Sequence, residues 1–441
     1  MYLVYSMLFT LGVILSAPFY FWRKGRNLAH GHWGERFGRI PFDEDRPGAI
    51  WVHAVSVGET VAVAGLVQEM QRAFPERKIY LSHVTPAGRE AGEARLPSVA
   101  GRFYLPLDWG WAVRRALARL RPALLVVVET ELWPNLLRAA QEAGTRVMVV
   151  NARLSGRSLR GYKLVRPFMR RVLADVDAIC AQSEADAERF RQLGAMPARV
   201  RMVGNLKFDA QPPHLGEFAR AMKVALHRAQ RGPVLVAAST MPGEEPLVLE
   251  AWDLIQARYR NALLILAPRH PARFNEVEQY LARTGRAFVR RTTLKVEERE
   301  LSQQLAAAAI LLLDTIGELA GIFEVADLVF IGGSLVPTGG HNLLEAAYWS
   351  KVIAFGPHME NFRDIANLFL EAGAAIQIRN PGELAHTTWL LENSEARNRL
   401  GASARQVLKE NSGGTARTLD CLREILDHPG QAQESSRREV K

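Results

Sequence analysis

The chain has 441 residues, of which 48% are hydrophobic and 23% are charged. This length exceeds what one hydrophobic core usually supports, which predicts two domains. The composition excludes a disordered or fibrous protein. The two cysteines, Cys180 and Cys421, are far apart in sequence, which excludes a disulfide framework and a thiolate metal site. The net charge of +10 predicts an attraction to anions, without distinguishing nucleic acid, phospholipid and a phosphorylated substrate.

The first element in chain order is an uncharged stretch at residues 1–22, "MYLVYSMLFTLGVILSAPFYFW". As a helix it would be about 33 Å long, which matches the hydrocarbon core of a bilayer. The basic "RKGR" at residues 23–26 follows the apolar run, whereas a cleaved signal peptide carries its charge before it. We therefore expect a membrane-anchor helix that spans the bilayer or lies in its interface, with everything after Arg23 on the cytoplasmic side.

From residue 49 onward, short apolar runs alternate with amphipathic stretches of helix length, which is typical of βαβ units and parallel sheets. Strands are predicted at residues 49–56, 78–84, 102–107, 123–130, 146–152, 178–183 and 200–206. After "FDAQPPHLGEF", further strands are predicted in "PVLVAAS", "NALLILAP", "AAILLLD", "DLVFIGGS", "KVIAFG" and "AAIQIR".

This pattern predicts an α/β protein with two Rossmann-like, doubly wound domains facing a central cleft. We expect a membrane anchor at residues 1–22, a first domain at 23–215, a second domain at 216–428 and a flexible tail at 429–441. Open parallel sheets bind ligands beyond the carboxyl ends of their strands. The chemistry is therefore expected on the loops that follow the strands.

In the first domain, "HAVSVGET" places Glu59 directly after a strand, at the entrance of a helix. A carboxylate at this position is well placed as a general base, and the helix dipole would keep it ionised. Ser56 and Glu59 also have the Ser-x-x-Glu spacing of a capping box, which needs no catalysis. Spacing alone leaves both interpretations open.

Two more loops of the first domain carry charged side chains after strands. "VVVETELWPN" has Glu129 and Glu131 at the end of the most continuous apolar strand, and "VGNLKFD" has Lys207 where it would neutralise a departing phosphate. "NARLSGRSLRGYKLVRPFMRR" adds seven basic residues between positions 153 and 171. That run is either a solvated face or a site for an anionic acceptor or membrane headgroups.

In the second domain, "GGSLVPTGGHNLLEAA" at residues 332–347 joins a strand, a glycine-rich loop and a helix predicted to begin at His341 or Asn342. Unpaired amides, the helix dipole and close backbone approach at glycines predict a phosphate site. Glu345, three residues after Asn342, is placed to accept hydrogen bonds from ribose hydroxyls. The alternative is that Asn342 caps the helix with Glu345 as its capping-box partner.

The remaining strand-end loops of the second domain are also polar. They are "LAPRHPARF" with Arg269 and His270, "LLLDTIGEL" with Thr315, Gly317 and Glu318, and "AASTMPGEE" with Ser239, Thr240, Glu244 and Glu245. Arg269 is either a phosphate or base contact or an ordinary surface arginine, and the two glutamates of the last loop either serve a ligand or only cap a helix. No metal-binding or covalent-nucleophile motif is found, so we expect neither a metal nor another cofactor.

The chain resembles the membrane-associated Kdo transferases, which add 3-deoxy-D-manno-octulosonic acid (Kdo) to a lipid A precursor. The resemblance lies in the ordered blocks "HAVSVGET", "ETELWPN", "NARLS", "GNLKFD", "PRHP", "DTIGEL", "GGSLVPTGGHNLLEAA" and "FGPHMENF". It implies the two-domain GT-B glycosyltransferase fold, CMP-Kdo as donor and a lipid A precursor (lipid IVA) as acceptor in lipopolysaccharide inner-core synthesis. It also implies inversion at the sugar centre without a metal.

The resemblance implies a role for individual residues as well. Glu59 is similar to the general base, and Glu129 and Lys207 are similar to groups that stabilise the transition state. The positions that match CMP-contacting stretches are Pro268, Arg269, Ile316, Gly317, Glu318, Asn342, Leu343, Leu344 and Glu345.

Two other functions compete with this interpretation. One is a different GT-B enzyme, a transferase or epimerase that uses a UDP-sugar. The other is a basic nucleic-acid binder, suggested by the net charge but opposed by the lack of interleaved aromatic platforms. The expected partners are therefore CMP-Kdo, a lipid A precursor and the inner-membrane surface, and not nucleic acid.

Overall fold

A computed structural model of the chain describes residues 1–24, 32–44, 47–209 and 215–427. It divides into two compact units, one made of residues 1–210 with 411–441 and one made of residues 211–410. The tail predicted at residues 429–441 and the last two residues of the basic "RKGR" lie outside the described residues.

The first unit is built on a parallel sheet. Its strands are β1 (Ala49–His53), β2 (Ile79–His83), β3 (Gly101–Tyr104), β4 (Pro122–Val128), β5 (Arg146–Ala152), β6 (Ala178–Ala181) and β7 (Val200–Met202). Its helices, apart from the C-terminal one, are α1 (Tyr2–Lys24), α2 (Trp33–Arg36), α3 (Val57–Ala73), α4 (Pro86–Arg95), α5 (Gly110–Leu120), α6 (Pro134–Glu142), α7 (Gly156–Lys163), α8 (Arg166–Ala174) and α9 (Glu184–Leu193). The strand order, β3-β2-β1-β4-β5-β6-β7, is that of a Rossmann-like sheet.

Both faces of this sheet are buried, which explains why its strands are continuous apolar runs instead of alternating ones. Along β1, Trp51 lies in one hydrophobic core cluster, while its neighbours Ile50 and Val52 lie in the other. Along β4, Leu125 and Val127 likewise face the cluster of Trp51. Helices therefore cover the sheet on two sides, as predicted for a doubly wound domain.

The second unit is built on another parallel sheet. Its strands are β8 (Val234–Thr240), β9 (Leu263–Pro268), β10 (Phe288–Arg290), β11 (Ile310–Leu312), β12 (Leu328–Ile331), β13 (Val352–Phe355) and β14 (Ile376–Gln377). Its helices are α10 (Glu217–Arg228), α11 (Glu244–Arg258), α12 (Phe274–Arg283), α13 (Glu298–Ala307), α14 (Leu319–Ile322), α15 (Leu344–Tyr348), α16 (Arg363–Glu371), α17 (Pro381–His386), α18 (Trp389–Glu392) and α19 (Ser394–Asn411). The strands are ordered β10-β11-β9-β8-β12-β13-β14.

These two sheets confirm the prediction of two α/β units with parallel strands. Every predicted strand is present in the described part of the chain, although most end earlier than predicted because their last residues enter loops. Strand β10 was not predicted, because its three residues are only partly buried and give no apolar run.

Each sheet has a switch point at which later strands are added on the other side of its first strand, between β1 and β4 in the first unit and between β8 and β12 in the second. In open α/β sheets, ligands bind beyond the strand ends at such a switch point. The loops after these four strands contain Glu59, Glu129, Glu244 and the glycines from Gly332 onward. Four of the strand-end loops chosen from the sequence therefore lie at the switch points, whereas those with Lys207, Arg269 and Glu318 follow other strands.

The C-terminal helix α20 (Gly414–Asp427) belongs to the first unit, although the sequence assigned residues up to 428 to the second domain. Leu419, Cys421 and Leu422 of this helix pack into the core cluster of Ile50 and Val52. The physical reason for the difference is that an amphipathic pattern predicts a helix but not which sheet the helix covers.

Truncating Leu422 tests this assignment. Its side chain is fully buried in the first unit, so Leu422→Ala removes apolar contacts and leaves a cavity. We expect a loss of about 2–5 kcal/mol in the free energy of unfolding, measured by denaturant titration. Leu164→Ala, at a site that is 87% exposed, is the control and should cost little. Equal losses for the two variants would contradict the packing described.

Helix α1 packs against the rest of the first unit through aromatic rings, such as Phe9 on Trp109, and through hydrogen bonds. The hydroxyl of Tyr2 donates to Asp175 Oδ2 at 2.7 Å, and that of Tyr5 donates to Asp108 Oδ2 at 2.9 Å. The prediction that this helix spans a membrane is not supported, because no helix within the described residues has both the length and the apolar character to cross a bilayer.

Candidate active site

Glu59 lies in the first turn of α3, where the chain enters the helix after β1. Its Oε2 accepts a hydrogen bond from the Val55 amide at 2.8 Å, and its Oε1 accepts one from Ser56 Oγ at 2.9 Å. Ser56 Oγ in turn accepts from the Glu59 amide at 3.4 Å, so a variant of the capping box is formed in which Glu59 bonds back to the amide of Val55 instead of that of Ser56. These contacts fix the carboxyl group in one orientation.

Burial is the largest cause of the shift in the pKa of Glu59. The side chain is largely buried, and this desolvation raises the pKa of its carboxyl group to about 7. The negative charges of Glu129 and Glu131 raise this pKa further, while the hydrogen bonds from Val55 and Ser56 lower it. The prediction that the dipole keeps Glu59 ionised is therefore corrected. A carboxyl group that exchanges its proton near neutral pH suits a general base.

Two residues at neighbouring strand ends have left-handed backbone conformations, which non-glycine residues adopt rarely. Glu129, after β4, has φ 59°, and Asn151, in β5, has φ 51°. Asn151 Oδ1 accepts from the Leu206 amide at 3.0 Å. Sequence reasoning missed Asn151, although asparagine tolerates this conformation better than most residues do. Strained conformations of this kind concentrate at functional sites.

Lys207 is held by contacts on both sides of its 3₁₀ turn (Leu206–Asp209). Asn151 binds the amide before it, and the Lys207 amide donates to Asn205 Oδ1 at 3.0 Å. The Asp209 carboxylate accepts from the amides of residues 413 and 415 at the start of α20. The structure thus brings Lys207 to the carboxyl end of β5, in the same unit as Glu59.

Hydrogen bonds to Glu244 hold the glycine-rich loop of the second unit, residues 332–343, in place. This side chain is completely buried at the start of α11. Its Oε1 accepts from the amides of Ser334 at 3.0 Å and Leu335 at 2.9 Å, and its Oε2 accepts from Gly333 at 2.6 Å and Met241 at 2.9 Å. Glu244 therefore does more than cap its own helix.

These contacts change the expectation for the phosphate site. Unpaired amides were predicted for this loop as a whole, but the amides of residues 333–335 already donate to a carboxylate of the protein. Within the described part of the chain, the amides of His341, Asn342 and Leu343 have no hydrogen-bond partner. The backbone donors that remain for an anion thus lie at the far end of the loop.

Position 333 requires glycine both because of its backbone conformation and because neighbouring atoms leave no room for a Cβ atom. It has φ 67°, and a Cβ atom there would lie 2.9 Å from Thr338 Oγ1 and 3.0 Å from His341 Cδ2. Any other residue would be strained and would push the loop apart.

Asn342 and Glu345 contact each other at the start of α15. Asn342 Nδ2 donates to Glu345 Oε1 at 3.1 Å, and Asn342 Oδ1 accepts from the Leu344 amide at 3.1 Å. The helix begins at Leu344 and not at His341 or Asn342 as predicted, because the Asn342 side chain holds the turn before it. Leu343 and Leu344 are buried, so a ligand would meet their backbone and not their side chains.

The loop after β9 lies close to the glycine-rich loop. Arg269 and His270 are exposed, and their charges, together with burial as the larger cause, lower the pKa of His341 to about 4. Pro268, at the end of β9, is buried. The structure therefore brings Arg269 and the His341 segment together.

The loop after β11 is arranged around an ion pair. Arg291 donates from Nε and Nη2 to Glu318 at 2.9 and 2.8 Å, and Thr315 Oγ1 also donates to this carboxylate. Ile316 is 69% exposed, and Gly317 has φ 90°. The carboxylate of Glu318 thus already has partners, whereas Ile316 projects into solvent.

Among the residues that the structure describes, no group of three or more His, Cys, Asp or Glu side chains has the arrangement to hold a metal ion.

Comparisons with known proteins agree with the motifs. The family model for 3-deoxy-D-manno-octulosonic-acid transferase (kdotransferase) matches residues 31–210. The 3-deoxy-D-manno-octulosonic acid transferase of Bordetella pertussis is 36% identical over 440 residues, which cover 95% of this chain and 99% of that protein. This chain belongs to the Kdo transferase family. The Haemophilus influenzae enzyme of the same name is 33% identical over 86% of this chain and 88% of its own length.

Solved structures place this Kdo transferase among GT-B-like proteins by fold alone. A glycosyltransferase from Rickettsia africae matches with a TM-score of 0.53 at 12% identity, covering 86% of this chain and 99% of its own. The UDP-GlcNAc 2-epimerase of Neisseria meningitidis matches with a TM-score of 0.54 at 12% identity, covering 85% of this chain and 100% of its own.

Proposed function

We propose that this Kdo transferase moves Kdo from CMP-Kdo to a lipid A precursor (lipid IVA) in lipopolysaccharide inner-core synthesis, with inversion and without a metal. The observation that carries the proposal is the buried carboxyl group of Glu59 at the switch point of the first sheet, in a chain that aligns with known Kdo transferases over almost its whole length. The acceptor would bind to the first unit and CMP-Kdo to the second. A lipid acceptor brings the reaction to the cytoplasmic side of the inner-membrane surface.

In the proposed mechanism, Glu59 takes the proton from the acceptor hydroxyl as its oxygen attacks the anomeric carbon of Kdo. A new carbon–oxygen bond forms on one face of the sugar while the bond to CMP breaks on the opposite face, and CMP leaves with the bonding electrons. Val55 and Ser56 hold the Glu59 carboxylate in the orientation that receives the proton. Glu129 and Lys207 stabilise the charge that develops on the sugar and on the leaving phosphate.

The donor site is proposed at the strand ends of the second unit. Arg269 and the amides of residues 341–343 meet the CMP phosphate, since both are hydrogen-bond donors on adjacent loops. Pro268, Ile316 and Gly317 contact the nucleoside. Glu318, through its pair with Arg291, and Glu345, through Asn342, position those loops and accept hydroxyl hydrogen bonds. Leu343 and Leu344 contribute through their backbone.

Donor choice tests the proposal. The purified chain is incubated with the lipid A precursor and either CMP-Kdo or UDP-N-acetylglucosamine, each with and without EDTA. We expect release of CMP at the same rate with and without the chelator, and no release of UDP. Turnover of UDP-N-acetylglucosamine would favour the alternative GT-B activity, and loss of CMP release with EDTA would contradict a metal-independent reaction.

The pH profile is expected to follow the carboxyl group of Glu59. Burial raises its pKa to about 7, and only the ionised form accepts a proton, so activity is lost as the pH falls below this value. We expect kcat/KM to fall about tenfold per pH unit well below pH 7 and to level off above it. The measurement is the initial rate of CMP release between pH 5 and 9. A flat profile across this range would exclude Glu59 as the titrating base.

Ser56→Ala is the matched variant for this profile. The Ser56 hydroxyl donates to Glu59 and stabilises its charged form, so its removal should move the acidic limb to higher pH. If the acidic side of the pH profile did not move in Ser56→Ala, a group other than Glu59 would control the rate.

A further inference from the structure

A pocket of about 700 Å³ lies in the first unit, within the size range of small-molecule sites. Three elements enclose it: the first turns of α1, the loop between β4 and α6, and the corner between α7 and α8. Its apolar lining includes Val4, Leu8, Leu132, Trp133, Val165 and Phe168. A lining of this kind favours a hydrocarbon ligand.

The pocket adjoins the carboxylates proposed for catalysis. Glu131 is one of its lining residues, and Glu129 is two positions earlier on the same loop. The charges of both act on Glu59, which places all three carboxyl groups near one another. A chain held in the pocket would therefore bring its headgroup to the proposed base.

Exposed basic side chains flank the pocket at the α7–α8 corner. Arg160 is two positions from the lining residue Tyr162, and Arg166 follows the lining residue Val165. Within the described residues, Arg157, Arg160 and Arg166 form no ion pair, so their charges are available to an external anion. An apolar pocket with a cationic rim fits a ligand that has both a hydrocarbon chain and a phosphate.

We infer that this pocket binds one fatty-acyl chain of the acceptor lipid, while the basic residues of the α7–α8 corner bind a phosphate of the same molecule. The inference rests on the proposed function and adds to it the part of the enzyme that recognises the lipid. A second copy of this chain is a less suitable occupant of the pocket than a lipid. The basic rim complements an anion and would repel another surface of this positively charged protein.

Filling the pocket tests the inference. Val165 is 48% exposed, so Val165→Trp should place its ring in the pocket without disturbing the core. Leu164→Trp is the matched control, since Leu164 is the preceding residue, is 87% exposed and does not line the pocket. Transfer from CMP-Kdo is measured for both variants with the acylated acceptor and with the same phosphorylated disaccharide after removal of its acyl chains.

We expect Val165→Trp to raise KM for the acylated acceptor roughly tenfold or more, with kcat little changed, and to leave the deacylated acceptor unaffected. Leu164→Trp should match the wild type with both acceptors. Equal KM values for the two variants, or an equal loss with both acceptors, would overturn the inference. Absence of transfer by the wild-type chain would instead reject the proposed function.

Direct binding separates the pocket from the transfer reaction. A bromine atom quenches tryptophan fluorescence on contact, and Trp133 lines the pocket. We expect 12-bromododecanoic acid to quench part of the wild-type fluorescence in a saturable way, and this part should be absent in Trp133→Phe. Identical quenching of the two proteins would show that the acyl chain does not enter the pocket, whether or not the enzyme transfers Kdo.

Discussion

Glu59→Gln is expected to lower kcat by roughly 10²–10⁴-fold, because the amide cannot accept the proton of the acceptor hydroxyl. Glutamine serves in a capping box as well as glutamate does, and its oxygen can still accept the hydrogen bond of the Val55 amide. The variant therefore keeps the cap and removes the base. The measurements are the rate of CMP release, the affinity for CMP by calorimetry and the midpoint of thermal unfolding.

Glu69→Gln is the control, since Glu69 lies on the same helix α3 and pairs with the exposed Arg72. It should retain wild-type activity. We expect Glu59→Gln to bind CMP like the wild type and to be at least as stable, because it removes a buried charge, while turnover is lost. If Glu59→Gln remained fully active, Glu59 would be only a capping residue and the base assignment would be wrong.

Glu244→Gln is expected to weaken CMP binding and to destabilise the second unit. The four amides that donate to Glu244 need acceptor oxygens, and glutamine replaces one of the two with a donor. A buried amide left without an acceptor costs about 1–3 kcal/mol, so the loss in the free energy of unfolding should reach several kcal/mol. The loop would then no longer hold its far end, residues 341–343, in place for the phosphate.

Calorimetric titration with CMP and denaturant unfolding measure the two effects. Glu250→Gln is the matched control, because Glu250 lies on the same helix α11 and is exposed. We expect it to behave like the wild type in both measurements. If Glu244→Gln and Glu250→Gln had the same stability and the same CMP affinity, Glu244 would not fasten the glycine-rich loop.

Much of the fold could be predicted because both faces of each parallel sheet are buried. A strand such as β4, with five consecutive valines and leucines, is recognisable without its partners. Strand β10 and the packing position of α20 could not be predicted, for two different reasons. A three-residue edge strand has no apolar run, and the packing of Leu422 on the first sheet depends on a contact far away in sequence.

The strand-end loops were predictable, but the contacts within them were not. The Ser-x-x-Glu spacing correctly indicated a capping box at Glu59, whereas its raised pKa depends on burial and on Glu129 and Glu131, which follow a different strand. The glycine-rich loop was expected to have unpaired amides, but those of residues 333–335 are bound by Glu244, about ninety positions earlier. Such long-range polar contacts leave no local pattern in the sequence.

The most direct test of the central claim is mass spectrometry of the acceptor after incubation with CMP-Kdo and the purified chain. The acceptor is a tetraacylated disaccharide bisphosphate, and the amount of CMP released is measured in the same sample. We predict that the acceptor gains the mass of one or more whole Kdo residues, with one CMP released for each. An acceptor of unchanged mass, in the presence of folded protein and intact CMP-Kdo, would contradict the account.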